Sequence, residues 1–431
     1  MLLANLGFAD RYLTEAEAGR LVAEAFSKID LTGQRVLVVI PDGTRTCPVG
    51  LFFRLLWEQL GGKAAALDYM VALGTHPAMP YEKILQRVEI SQAEHEGKYR
   101  KVKFFNHEWD KPETFRTIGR ISEDEMEHIS GGLFRESVEV SLNAKVFDYD
   151  RLIILGPVFP HEVVGFSGGH KYLFPGIAGD SIIHFFHWLG AVITNPVING
   201  AKDTPTRAVV EKAASFLTVP TMAICLVVHY GKLSGCYIGP TREAWSAAAD
   251  LSAEKHIIYK DRTFSKVLGL APEMYDDIWT AGKVMYKLEP VLADGAELII
   301  YAPHITEISY THGRVLDQIG YHTRDYFYKR MPDFADVPRG ILAHSTHVRG
   351  IGTFTGGQEK CRVHVVLATG IPESRCRKVN LGYRDPKTID IESYRNREDE
   401  GVLLVEKAGE MLYRLKDGTV PRIPGDVSNV E

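Results

Sequence analysis

Short apolar runs alternate with stretches of helical periodicity along most of the chain, the pattern of an α/β protein. RVLVVI (35–40), KAAALDYMVAL (63–73), RLIILG (151–156) and TMAICLVVHY (221–230) are apolar and mostly rich in β-branched residues, which predicts buried strands. TEAEAGRLVAEAFSKI (14–29), with Thr14 as N-cap, LFFRLLWEQL (51–60), TRAVVEKAASFL (206–217) and REAWSAAADLSAEKHI (242–257) repeat apolar residues at helical spacing. From 80 to 150 the chain is more polar and less periodic. It holds a helix at YEKILQRV (81–88) and a half-exposed, alternating strand at ESVEVSLNAKVF (136–147), and reads as scaffold. SGCYIG (234–239) predicts a glycine-punctuated turn. A fresh pattern starts at SKVLGLAP (265–272). A helix across TAGKVMYKLEPVL (280–292), strands at AELIIYAP (296–303) and CRVHVVLATG (361–370), and a last helix at GVLLVEKAGEMLYRL (401–415) follow.

At 431 residues the chain exceeds what one hydrophobic core usually organises. The expected division is residues 1–258, 259–390 and a tail, 391–431. The expected fold is α/β, two lobes with mixed or parallel sheets, the second a smaller doubly wound, Rossmann-like unit. No GxGxxG fingerprint accompanies it, so ordinary dinucleotide binding is not supported. A net charge of −5 offers no nucleic-acid surface, and a small acidic substrate would need local positive charge. The N-terminal stretch lacks a basic segment followed by an apolar one, and no run of eighteen apolar residues occurs, so no membrane association and a cytoplasmic location are expected. Five scattered cysteines without a CxxC pair argue against a disulfide framework and a zinc knuckle.

The candidate chemistry centres on residues 160–188, PHEVVGFSGGHKYLFPGIAGDSIIHFFHW, which follow the strand RLIILG and run into a helix. Glycines let backbone approach a ligand, and successive N–H groups in such a loop can cradle an anion. Ser167, Gly168 and Gly169 are candidates for a cofactor phosphate. Lys171 and several imidazoles project from the same stretch, a pattern suited to an anionic, metal-bearing cofactor. The alternative for Lys171 is a surface lysine in a loop. DGTR (42–45) and GTH (74–76) each end a predicted strand, where open α/β sheets bind ligands, so they are expected to share one cleft. Arg45 can hold a carboxylate bidentately, or pair with Asp42. Asp42 can accept from a ribose or cap its turn. His184 and His187 lie one helical turn apart, a spacing that can bind a metal, or they are core histidines.

The central stretch, DGTR and GTH, in that order along the chain, resemble the nickel-dependent lactate racemase family. The resemblance covers most of the chain and weakens after about residue 300. It implies a racemase or epimerase that inverts C2 of a 2-hydroxy acid through a nickel-pincer nucleotide covalently bound at Lys171 and loaded by cofactor-synthesis enzymes. It assigns nickel to His187, with His184 as competitor. His76 and His161 become the acid/base pair, while hydride passes to and from the cofactor ring. Imidazole suits that role because its ordinary pKa lies near neutrality. Lys283 then reaches substrate, the tail packs back on the first domain, and the active site lies in a cleft between the lobes. Two departures bear on the substrate: SGGHK stands where lactate enzymes carry SGGRK, and Thr280 replaces a glutamine three positions before Lys283. With the histidine-rich APHITEISYTHG (302–313) and ILAHSTHVRGIG (341–352), they open the pocket to malate or a sugar acid. A hydrolase with zinc held directly by histidines, and a non-catalytic nucleotide or sugar-acid binding protein, are the alternatives.

Overall fold

The computed structural model describes residues 1–423. Contacts divide the chain into two compact units. The first comprises residues 1–159, 166–183 and 207–255, and the second comprises residues 160–165, 184–206 and the described chain from 256 to 423. The sequence reading put the boundary at 258 and foresaw neither inserted segment.

The first unit is built on a seven-stranded sheet. Its strands are β1 (Ala4–Gly7), β2 (Arg35–Pro41), β3 (Ala66–Ala72), β4 (Phe104–Asn106), β5 (Arg151–Pro157), β6 (Thr221–His229) and β7 (Lys232–Pro240), in the order β1-β7-β6-β5-β2-β3-β4. The five from β6 to β4 run parallel; β7 and β1 are antiparallel additions at one edge. Alternate residues of the central strands, Val36, Val38, Ile40, Tyr69, Val71, Ile153 and Leu155, pack with Leu21, Val22, Phe52, Phe53 and Leu56 of two helices, Glu15–Ser27 and Val49–Leu60. The intervening Leu37, Val39, Met70, Leu152 and Ile154 are buried too, which explains runs without alternation. Thr14 caps the first helix, with Glu17 completing a capping box. SGCYIG, expected as a turn, lies inside β7. Gly235 approaches Gly7 of β1 there, and a Cβ on it would meet Leu251 at 2.5 Å.

The second unit holds five parallel strands, β8 (Phe264–Leu270), β9 (Leu292–Ala302), β10 (His364–Thr369), β11 (Gly382–Tyr383) and β12 (Val402–Val405), in the order β11-β10-β9-β8-β12. One face carries a large core with Val284, Met285, Leu288, Leu316, Ile341 and Val348. The other, with Leu268, Ile299 and Val366, is covered by Tyr394, Ile389 and Ile391 of short 3₁₀ turns.

In the tail, β12 pairs with β8, and Leu412–Leu415 pairs with Ile257–Lys260. The predicted last helix is therefore two strands: VLLV is a four-residue apolar run that fits a buried parallel strand, and Gly409 at φ +102° breaks any helix before the second. The helix expected over 280–292 is also split, into Ile278–Ala281, Lys283–Leu288 and a 3₁₀ turn at Glu289–Val291 where Pro290 intervenes.

Candidate active site

In the first unit, the parallel register of β2 against β3 sets Pro41 opposite Ala72, so the turns that follow emerge side by side. This places Asp42 and His76 in contact: His76 Nδ1 lies 2.6 Å from Asp42 Oδ2. Asp42 Oδ1 accepts from the Thr44 N–H at 3.1 Å and its hydroxyl at 2.7 Å. Burial alone would raise the Asp42 carboxyl, but the His76 imidazole, Arg45 and the Thr44 bonds outweigh it and hold it well below the usual carboxylate range. An ionised Asp42 makes Nδ1 the donor, so a neutral His76 carries its lone pair on Nε2. His76 is partly exposed, as a base that must meet a substrate requires. Two residues unremarked in the sequence brace these turns. Arg87 donates to the carbonyls of Pro41 and Arg45, and Trp109 Nε1 donates to His76 O at 2.8 Å. Arg45, half-buried, lies with its guanidinium 5.5 Å from the Phe159 ring centroid at the end of β5.

The Ser167–Gly179 loop joins this corner through the Gly74 N–H, which donates to Gly176 O at 2.9 Å. Ser167 Oγ is committed to the loop itself, donating to Pro157 O and accepting from the Phe159 N–H. Gly168 adopts φ +84°, and a Cβ there would stand 2.5 Å from Val158 Cγ2; Gly169 backs onto Trp245. These glycines are required by protein packing. Beneath the loop, buried Arg207 donates to Phe166 O and Gly168 O and lies 4.0 Å from the Trp245 ring centroid. Glu211 takes His170 Nδ1 at 2.7 Å, so His170, the residue beside Lys171, is anchored to the helix Pro205–Ala214. Lys171 is half-buried on a 3₁₀ turn, Gly169–Tyr172.

The second unit holds His161, His184, His187, Thr280 and Lys283. His161 is buried, and its Nδ1 accepts the Val163 N–H at 3.1 Å, with Glu162 Oε2 3.4 Å from the same nitrogen; with the backbone N–H on Nδ1, a neutral ring carries its proton on Nε2. His184 and His187 sit on the helix Asp180–Ile193. A Cβ on Gly340 would lie 3.0 Å from His184 Nδ1, so His184 is packed against the start of the helix Arg339–Arg349. His187 stacks on Phe186 at 4.4 Å and lies within electrostatic reach of His344, on that same helix. His344 is held from three sides: Tyr286 Oη at 2.8 Å, Tyr321 Oη at 3.4 Å and the Trp279 ring at 3.9 Å. Burial, then the neighbouring imidazoles of His347, His312 and His187, push its pKa well below the ordinary value, so it is neutral. Burial likewise takes His347 down to about 4. The Thr280 N–H donates to Asp277 at the start of its short helix, and the Lys283 ammonium lies 4.6 Å from the Tyr275 ring centroid. The clustering of His344 and His347 with Tyr286 and Trp279 was signalled in sequence only by histidine density.

Among the described residues, no group of three or more His, Cys, Asp or Glu side chains could hold a metal ion. Among the described residues, no helix is long and apolar enough to cross a membrane.

Comparison with known proteins agrees with the motifs. Residues 15–198 match the lactate racemase N-terminal domain family. A lactate racemase from Thermoanaerobacterium thermosaccharolyticum is 26% identical over 165 residues, 38% of this chain, and the chain spans 34% of that protein's length. A crystal structure of a Thermotoga maritima protein is 31% identical with a TM-score of 0.87, over 95% of this chain and 100% of that one. The lactate racemase apoprotein of T. thermosaccharolyticum shares the fold, with a TM-score of 0.71 at 16% identity over 94% of this chain and 93% of that one.

Proposed function

We propose, for a chain that belongs to the lactate racemase family, that it is an isomerase inverting C2 of a 2-hydroxy acid. The observation that carries this reading is the Asp42–His76 pair at the ends of adjacent parallel strands, hydrogen-bonded through Gly74 to the loop that bears Lys171. A carboxylate that fixes a histidine tautomer is how proteins prepare an imidazole to take a proton.

His76 takes the substrate hydroxyl proton at Nε2, and the ionised Asp42 stabilises the imidazolium that results. His161 presents the opposite preparation, a proton on Nε2, and gives it to the oxygen once C2 is inverted; solvent then carries the proton of the His76 imidazolium back to His161, so both rings regain their starting forms. Arg45 orients the substrate carboxylate, and Lys283 adds positive charge for it, which supplies locally what the acidic chain lacks overall. Asp42 belongs in this reading to the proton path, and Thr280 to the wall of the substrate pocket.

The donor set fits a nickel-pincer nucleotide. No three-ligand protein cluster exists among the described residues, which suits a metal that arrives already held by an organic chelate and needs only one imidazole. A zinc bound by side chains alone needs three or four such ligands, so the hydrolase reading is not favoured. Lys171 would hold the nucleotide and His187 would complete the nickel coordination. His184, packed against Gly340, is the weaker claimant. When bound, the nucleotide supplies a ring that accepts hydride from C2 and gives it back.

The test is turnover by protein co-produced with the cofactor-synthesis enzymes, screened against lactate, malate and sugar acids by chiral chromatography. With a C2-deuterated substrate, inversion is expected to keep most of the label. Complete exchange of the label with solvent would refute the hydride route, and inactivity of verified holoenzyme towards every hydroxy acid would refute the isomerase reading.

A further inference from the structure

Residues 160–165 pack with the second unit, although the chain on either side of them belongs to the first. Several features of the second unit hold them. Val163 and Val164 are buried. The Gly200 N–H donates to Gly165 O at 2.9 Å. Gly165 sits at φ +76°, where a Cβ would fall 1.7 Å from Ala201 O, so no other residue fits. Gly190 leaves room for Val163, 3.0 Å from where its Cβ would be.

The other end of the segment is fastened by a side chain. Lys287 donates from Nζ to the carbonyl of Pro160, the residue before His161. Lys287 is only 2% exposed. Burying an ammonium is costly even when it is hydrogen-bonded, and an apolar residue of similar length would fill the space at lower cost. A lysine kept at this position is explained by what it holds. The His161 backbone is thereby caught between two anchors, the Pro160 carbonyl on Lys287 and the buried Val163, whose N–H meets His161 Nδ1. Lys287 stands one helical turn beyond Lys283 on the helix Lys283–Leu288, a spacing of four that puts both on one face.

We propose that Lys287 is the positioning residue for His161: by fixing the Pro160 peptide it holds the imidazole where the Val163 N–H occupies Nδ1, and so keeps the proton on Nε2. The catalytic consequence rests on His161 acting as the acid of the proposed reaction. The tautomer itself does not.

The test uses the full chain labelled with ¹⁵N-histidine, with ring signals read by long-range ¹H–¹⁵N correlation and His161 assigned by its loss in His161→Gln. Wild-type protein should show His161 as the Nε2–H tautomer, and an Nδ1–H ring would overturn the proposal without any variant. In Lys287→Met, His161 should become a mixture of tautomers. The holoenzyme should then lose roughly 10–100-fold in kcat, the scale of a misplaced catalytic group, with KM nearly unchanged. Lys287→Gln, which keeps a donor for the Pro160 carbonyl, should fall between, and it serves if the Met variant does not fold. Unaltered His161 signals in a folded Lys287 variant would refute the proposal, whatever the change in melting temperature. An inactive wild-type holoenzyme whose His161 tautomer still depends on Lys287 would refute the isomerase reading and leave this one standing.

Discussion

Replacing Asp42 by Asn tests the proposed base most directly, because it removes a charge and changes almost no volume. The carboxylate is 5% exposed, lies 2.6 Å from His76 Nδ1 and accepts two further bonds from Thr44. An asparagine can keep the Thr44 bonds through its carbonyl, but its amide then points N–H groups at His76. Nδ1 must become the acceptor, the ring proton moves to Nε2, and the lone pair that should meet the substrate hydroxyl is lost. The expected fall in kcat is on the order of 10²–10⁴-fold, the range for losing a positioned acid/base group. The cost in stability is smaller. A hydrogen bond to a charged group contributes about 1.5–3 kcal/mol, and the His76 side chain is 33% exposed, which places the loss at the low end. That corresponds to a drop in melting temperature of roughly 3–6 °C for a unit of this size. The pH dependence has a definite sign. The folded carboxyl titrates below its ordinary value, so its contribution is fully present above the ordinary carboxylate range and is lost as pH falls below it. Asp42→Asn should therefore flatten the acid end of the stability curve. Chiral chromatography on adduct-bearing enzyme, with urea unfolding in parallel, reads both quantities. Wild-type kcat in a folded Asp42→Asn protein would show that the pair is a structural link between two turns and that the base lies elsewhere.

Three further outcomes are expected. Lys171→Ala should fold normally yet gain no nucleotide-sized mass when co-produced with the cofactor-synthesis enzymes, because the loop is also held by Arg207, Ser167 and Gly176; a retained adduct would move the attachment site. His187→Ala should keep the adduct and lose nickel by metal analysis, whereas nickel lost instead in His184→Ala would shift the ligand by one turn. His107, fully buried between Asn143 and Ala178, is pushed down to about 4 by burial, so the fold requires it neutral. Stability should then decline as pH drops from about 6.5 to about 4, by at most about 3 kcal/mol from this one group, and His107→Leu should reduce that slope in urea titrations; an unchanged slope would place the acid sensitivity elsewhere.

Why some of the fold was legible and some was not follows from where the information sits. The central strands of the first unit are buried on both faces, so they read as unbroken apolar runs, and Thr14 with Glu17 marks a helix start by a local pair. The last strands carry no such local mark. VLLV is apolar and short, and the EKAGEM that follows has helical composition. Only the open edge of β8 makes a strand of Val402–Val405. The same holds for the inserted segments. Nothing in PHEVVG says that it packs with Gly190, Gly200 and Ala201, which are remote in sequence and close only after folding.

The site divides along the same line. Residues that turn out of strand ends could be placed together from sequence, since parallel neighbours deliver their following turns to one edge; Asp42 and His76 meet for that reason. What prepares them could not. His76 and His161 look alike as letters, yet His76 Nδ1 lies 2.6 Å from a carboxylate, whereas His161 Nδ1 accepts a backbone N–H at 3.1 Å with Glu162 Oε2 farther off at 3.4 Å. The first contact leaves the lone pair of a neutral ring on Nε2, the second its proton. In the proposed reaction the hydroxyl oxygen gives up one proton and later regains one, while hydride leaves and returns at C2. The chemistry of each imidazole is thus decided by the atom beside it, and for His161 the proposed positioning contact is Lys287 on the Pro160 carbonyl.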